Sequence, residues 1–206
     1  MMLSLLFATL AVAIITATTN ALPASVSSSI QSRAAIEIWN IPRMELHMMT
    51  RHSGLPGDGG WPESKKYPSS IDFDVNMPNN QSAHCQNTFT NGTLPEDTGA
   101  CTSEGGRVRF QMIEYTALGP RRKELSFVLQ VFKLEGTSEQ QNVTTGEIAI
   151  TANSPAEPTS YLTCLLGAPF DGLRCKLHGM MSNRKELEIV ARTPTQANAD
   201  DLFTAS

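Results

Sequence analysis

RVRFQMIEYTALGPRRKELSFVLQVFKLE, residues 107–135, is the stretch that decides the fold. Val108, Phe110 and Met112 alternate with Arg107, Arg109 and Gln111, and Leu125, Phe127, Leu129 and Val131 repeat the alternation over 123–135. A period of two marks a strand with one face in a core and the other in water. Ala117-Leu118-Gly119-Pro120-Arg121-Arg122 lies between the two runs as a turn, so the pair reads as a β-hairpin.

The same pattern extends to both sides. Toward the N-terminus, Ile71, Phe73 and Val75 alternate with Asp72 and Asp74, and Met44, Leu46 and Met48 follow Ile36 and Ile38. Pro42 interrupts that first run, because proline removes a ladder hydrogen bond, which leaves either two strands or one bent strand. Short strands also fit 147–152, 161–166, 173–180 and 186–192. Residues 52–69 read as a long loop, since Gly54, Pro56, Gly57, Gly59, Gly60, Pro62 and Pro68 punctuate it. With no ten-residue helical stripe and no internal repeat, the chain is expected to be all-β, a compact antiparallel β-barrel or sandwich stapled by two disulfides.

The ends have a different character. Residues 5–15 (LLFATLAVAII) are too short to span a bilayer, and Thr19-Asn20-Ala21 places small residues where a signal peptidase cuts. A signal peptide over 1–21 and secretion to the extracellular space follow as expectations. A flexible Ser-rich leader is expected over 22–34, a single β-barrel domain over 35–193 and a flexible tail over 194–206. Removal of the signal leaves 185 of the 206 residues and the whole net charge of −4, with mixed signs and no long basic block. Nucleic acid and membrane surfaces are therefore not expected partners.

Cys85 and Cys101 lie 16 apart, and Cys164 and Cys175 lie 11 apart. Four cysteines allow three pairings; the two local ones are favoured because each closes a loop between strands. Neither spacing supplies the close ligand pair that a zinc site needs. Asn80-Gln81-Ser82, Asn91-Gly92-Thr93 and Asn142-Val143-Thr144 are glycosylation sequons in segments that read as loops.

The order of these features resembles the Alternaria major-allergen-like family of fungal secreted proteins. The likeness is carried by a Trp-containing strand (Ile38-Trp39-Asn40-Ile41), the strand 71–75 and a cysteine pair about fifteen apart. Next come Val108-Arg109-Phe110-Gln111-Met112, a glycine turn, a Leu-rich strand and a second cysteine pair closing CLLGAPFDGLRC at 164–175. It spans roughly 36–192. The resemblance implies a β-barrel without enzymatic chemistry, an effector or elicitor acting on plant hosts, and an extracellular partner such as a thaumatin-like defence protein. The chain lacks the extra N-terminal cysteine that links family dimers, so no disulfide-linked dimer is expected, and its loop 52–69 is longer than the family's.

No cofactor, metal site or catalytic set is expected. There is no Gly-x-Ser-x-Gly elbow, and Cys85 and His84, as strand neighbours, point to opposite faces. Asp72 and Asp74 share a strand face like a glycosidase pair, but that face reads as the solvent side. His47, His52, His84 and His178 lack metal-ligand spacing. Trp61 and Tyr67 could bind a sugar or a protein, or fold back and cap the barrel. Arg121, Arg122 and Lys123 could steer an acidic partner from a turn. The function expected is that of a secreted, non-enzymatic effector-like binding protein. The alternatives are a barrel holding a small apolar ligand near Met44, Leu46 and Met48, and a cell-wall carbohydrate-binding module using Trp61 and Tyr67. Intact mass of the secreted protein should show a start at Leu22 and a gain of about four daltons on reduction, two per bridge; free thiols on an uncut chain would overturn the expected compartment.

Overall fold

In the computed structural model the described residues are 35–56, 59–104, 107–137 and 140–194. The segments expected to be a signal peptide, 1–21, and a Ser-rich leader, 22–34, lie outside them, as does the expected tail from 195 onward. Ten strands form one sheet among the described residues: β1 (Ile36–Met48), β2 (Ser69–Met77), β3 (Gln81–Phe89), β4 (Gly99–Ser103), β5 (Arg107–Glu114), β6 (Ser126–Thr137), β7 (Gln140–Ala152), β8 (Ser160–Leu166), β9 (Leu173–Leu177) and β10 (Leu187–Arg192). Strands β1 to β9 follow one another around a ring that closes where β9 returns to β1, and β10 is inserted between β1 and β7. All pairings are antiparallel except a short parallel contact of β7 with β8. The fold is a closed β-barrel of nine strands with one extra strand.

Closure depends on β1. Its first half, Ile36–Ile41, pairs with β10, while Glu45–Met48 pairs with β9 along the same edge. Its other edge pairs with β2, and the register shifts between Asn40 and Arg43. Pro42, which has no N–H to give, sits in that irregularity, so the run 36–48 is one bent strand.

The hairpin 107–135 forms as β5 and β6, with Phe110 opposite Val131 and Met112 opposite Leu129. Strand β6 starts three residues later than the alternation suggests, because Lys123–Leu125 makes a single 3₁₀ turn. Strand β9 stops at Leu177 rather than running to Met180, because His178 adopts φ 58°. Trp39, Phe73, Phe110, Phe127, Met44, Leu46 and Met48 fill the interior, with Phe73 and Phe110 edge to face at 5.0 Å. Each such side chain contributes roughly 1.5–3 kcal/mol by leaving water.

Cys85 is bonded to Cys101 and Cys164 to Cys175, each joining residues directly opposite one another on neighbouring strands. Where β7 meets β10, Gly146 faces Ile189 and Ala191 so closely that a Cβ would collide with the Ile189 side chain. Gly146→Ala should therefore lower stability by roughly 1–3 kcal/mol through overpacking, read as a denaturation midpoint. Gly60→Ala, where a methyl meets nothing within 4 Å, should leave that midpoint in place.

Candidate functional site

One end of the barrel gathers the end of β1, the start of β2, the turns that follow β3 and precede β6, and the β8–β9 turn. Loop 49–68 folds back over this end. Ser53 donates through its backbone N–H and its Oγ to the Gly59 carbonyl, at 3.1 and 2.7 Å, and Trp61 Nε1 donates to the Thr50 carbonyl at 2.8 Å. The loop is then fastened to the β8–β9 turn, 167–172. The Phe170 N–H donates to the Ser53 carbonyl, and Tyr67 Oη and His47 Nε2 both donate to the Asp171 carbonyl, at 2.5 Å each. A carbonyl only accepts, so His47 carries its proton on Nε2.

Aromatic contacts brace the same junction. His47 stacks on Tyr67 at 4.6 Å, and Trp61 meets Tyr67 and Phe170 edge-on at 5.6 and 6.1 Å. Burial first, and the Asp171 carboxylate second, push the Tyr67 hydroxyl above the ordinary tyrosine range. Phe170 holds φ 67°, a left-handed conformation that is strained for a bulky residue and persists because its neighbours fix it. Beside this brace Leu165 and Leu166 are 60% and 61% exposed and Leu55 42%; Ala168 and Pro169 are exposed too. Gly54 lies against Pro169, which brings the Leu55 segment alongside the turn.

Below the loop, Glu124 is fully buried. Arg122 grips both of its oxygens at 2.9 Å, the Gly92 N–H donates to Oε1 at 2.5 Å, and Ser69 Oγ lies 3.2 Å away. Burial alone would raise its pKa. The Arg122 fork, the Gly92 N–H and its own N–H outweigh that and hold the carboxyl below the usual glutamate range. Asn91 completes the knot: Oδ1 accepts from the Met49 N–H at 2.9 Å and from Ser69 Oγ at 2.8 Å, and Nδ2 donates to the Tyr67 carbonyl at 2.5 Å.

The other residues singled out in the sequence have separate places. Arg121 is held by Glu157 through two bonds, at 2.5 and 3.0 Å, and Lys123 pairs with Glu114 at 2.9 Å. With Arg122 on Glu124, all three cations of the turn have internal partners and form no free basic patch. Asp72 and Asp74 lie on the outer face of β2, bound by Arg43 at 2.5 and 2.9 Å, with His84 at 2.8 Å from Asp74. The Arg43 guanidinium, aided by His84, holds Asp74 low, and Arg174 does the same for Asp171. A shallow concavity of about 190 Å³ adjoins Asp72, between Glu45, Ser70 and Lys176.

His52 and His178 are exposed and stand apart. Among the described residues no three His, Cys, Asp or Glu gather as metal ligands. Met44, Leu46 and Met48 are buried within the filled core, so those positions serve packing. Asn80 is exposed in the β2–β3 turn; Asn142 is exposed too, but on strand β7 rather than in the loop expected there, and Asn91 is half-buried. Trp61 and Tyr67 act as the cap. The sequence reading missed Phe170, His47 and Asp171. The signal was the Phe-Asp-Gly end of a short disulfide-closed loop, a turn whose chemistry demands attention to the residue before the aspartate.

Comparison of the chain with family models, with curated proteins and with solved structures gives no match. Because the folded pKa of Glu124 is depressed, its stabilising contribution is complete above the unfolded value near 4.5 and is lost as pH falls through the folded one. Glu124→Gln should cost about 2–3 kcal/mol at neutral pH, Arg122 retaining some access to water. Denaturant titrations should show the wild type losing this margin on acidification and the variant showing a flatter dependence over the same window.

Proposed function

We propose that this chain is an exported, non-enzymatic binding protein whose contact surface is the aromatic-braced end of the barrel and whose partner is an extracellular protein. The observation that carries the reading is that the turn braced by Trp61 and Phe170 follows directly on Leu165 and Leu166, which project from opposite faces of β8 and are both more than half exposed, and itself exposes Ala168 and Pro169. Exposed apolar groups gathered at one end of a fold mark interaction sites, and rigid aromatic neighbours are what binding centres are built from. Two disulfides favour an oxidising compartment. The resemblance in strand order and cysteine spacing supplies the narrower form, a fungal effector- or elicitor-type protein with a plant defence protein as partner.

Other observations weigh against the rival readings. General acids need raised pKa values, whereas Asp74, Glu124, Glu157 and Asp171 are each gripped by an arginine and held low. His47 covers one face of Tyr67, and Trp61 meets Tyr67 and Phe170 edge-on, so both rings are engaged in bracing the end of the barrel.

Plant apoplastic fluid passed over the immobilised, deglycosylated protein should yield a retained protein that the double variant Leu165→Glu, Leu166→Glu no longer captures, while Ile38→Glu, on the outer face of β1, still does. Equal capture by all three would move the contact away from this end.

A further inference from the structure

Beside the knot lies an open concavity of about 460 Å³ lined by Met49, Lys66, Tyr67, Pro68, Thr90 and Asn91. One of its lining residues, Asn91, heads a sequon whose Thr93 Oγ donates to the Thr90 carbonyl at 2.8 Å. An asparagine amide has two N–H donors. In Asn91 one is given to the Tyr67 carbonyl, and among the described residues no acceptor is recorded for the other.

We propose that Asn91 carries an N-linked glycan whose first N-acetylglucosamine is seated in this concavity, against Met49 and Pro68, as a built-in carbohydrate subsite. The inference rests on the export reading. Attachment transfers an oligosaccharide from a lipid pyrophosphate donor: the Nδ2–C1 bond forms, the bond from C1 to the pyrophosphate oxygen breaks, Nδ2 releases one proton and the lipid pyrophosphate leaves. The nitrogen keeps one hydrogen, enough to retain the bond to Tyr67, while the sugar replaces the other hydrogen. Oδ1 keeps its bonds from Met49 and Ser69. The sugar's apolar ring face then covers Pro68 and Met49, and its hydroxyls reach Lys66 and water. Asn80 and Asn142 are exposed and line neither this concavity nor the one beside Asp72.

The test is site-by-site glycopeptide mapping of the full protein secreted from a eukaryotic host, with the time course of peptide-N-glycosidase release under native and denaturing conditions. Native release at Asn91 is expected to be at least about tenfold slower than at Asn80, because the enzyme must wait for the sugar to lift from its seat. Denaturation should abolish the difference, and Pro68→Ser should bring the native rate at Asn91 toward that at Asn80. An unmodified Asn91, equal native rates at the two sites, or a slow rate unaffected by Pro68→Ser would each overturn the seat. If Asn91 alone is bare in a processed, exported chain, the seat fails and the export reading stands; an uncut chain kept in the cell with every sequon bare fails both.

Discussion

Everything in this protein depends on a ring of strands having no free edge, and β1 supplies the closure twice over. Its thirteen residues present one edge to two different strands, β10 near the start and β9 near the end. A strand can do this only if it bends, and the bend falls at Pro42, where the ladder with β2 slips. Closure removes the exposed edges through which sheets aggregate, but it leaves short pairings around the ring. Strand β4 meets β3 at three positions and β5 at two, and β8 joins β7 at two. The disulfides lie beside these weak places, Cys85–Cys101 tying β3 to β4 and Cys164–Cys175 tying β8 to β9. Loop-closure entropy, about 3 kcal/mol for bridges of this span, is gained at Cys85–Cys101 across a ladder of only three pairs, and at Cys164–Cys175 on the strand whose other neighbour meets it at only two positions.

A barrel also has two mouths, at which inward-facing side chains run out of apolar neighbours. Both are finished with an ion pair that has one buried member, Lys133 at one and Glu124 at the other. At the start of β1, Lys133 reaches inward from β6 to Glu135 at 2.7 Å and to Glu37 at 3.7 Å, and Glu37 accepts the Trp39 Nε1–H at 2.8 Å. At the other mouth Glu124 and Arg122 do the equivalent work with Ser69, Asn91 and Gly92. Such pairs gain little net energy against an apolar replacement, but a misplaced partner is costly, so they specify which chain segments meet. Glu124 and Asn91 together fix the end of β1, the start of β2 and the turn after β3. That fixes where loop 49–68 begins and ends.

The alternating runs made most of the barrel legible from sequence: β1, β2, β5, β6, the end of β7, β8, β9 and β10 all follow apolar residues at every second position. Strands β3 and β4 were not marked out because Gln81–Phe89 and Gly99–Ser103 place mainly small or polar groups on the wall, with Ala83, Cys85 and Phe89 as the buried points. The first half of β7 was missed for the same reason, which is how Asn142 came to be read as a loop residue. Charge was harder to read than hydrophobicity. Arg121, Arg122 and Lys123 look like an exposed basic cluster in a linear chain, yet Glu157 and Glu114 reach Arg121 and Lys123 only once the strands are in register, and the barrel buries Glu124 against the neighbouring Arg122. Asn91 looks like an ordinary sequon until the fold brings Met49, Tyr67 and Ser69 to its amide.

The strain at Phe170 links this scaffold to the proposed contact surface. A phenylalanine at φ 67° is unfavourable by roughly 1–3 kcal/mol in isolation. The turn holds it because the Ser53 carbonyl takes its N–H, Trp61 packs on its ring, and His47 and Tyr67 clamp the next carbonyl. Of those partners Tyr67 is itself anchored, its carbonyl accepting from Asn91, which meets Ser69 beside the buried carboxylate. The position of the β8–β9 turn, and with it that of the two faces of β8 from which Leu165 and Leu166 project, is thus settled when the protein folds. A surface ordered in advance loses little conformational entropy on binding, so a modest apolar area can hold a partner that the same leucines on a loose loop could not.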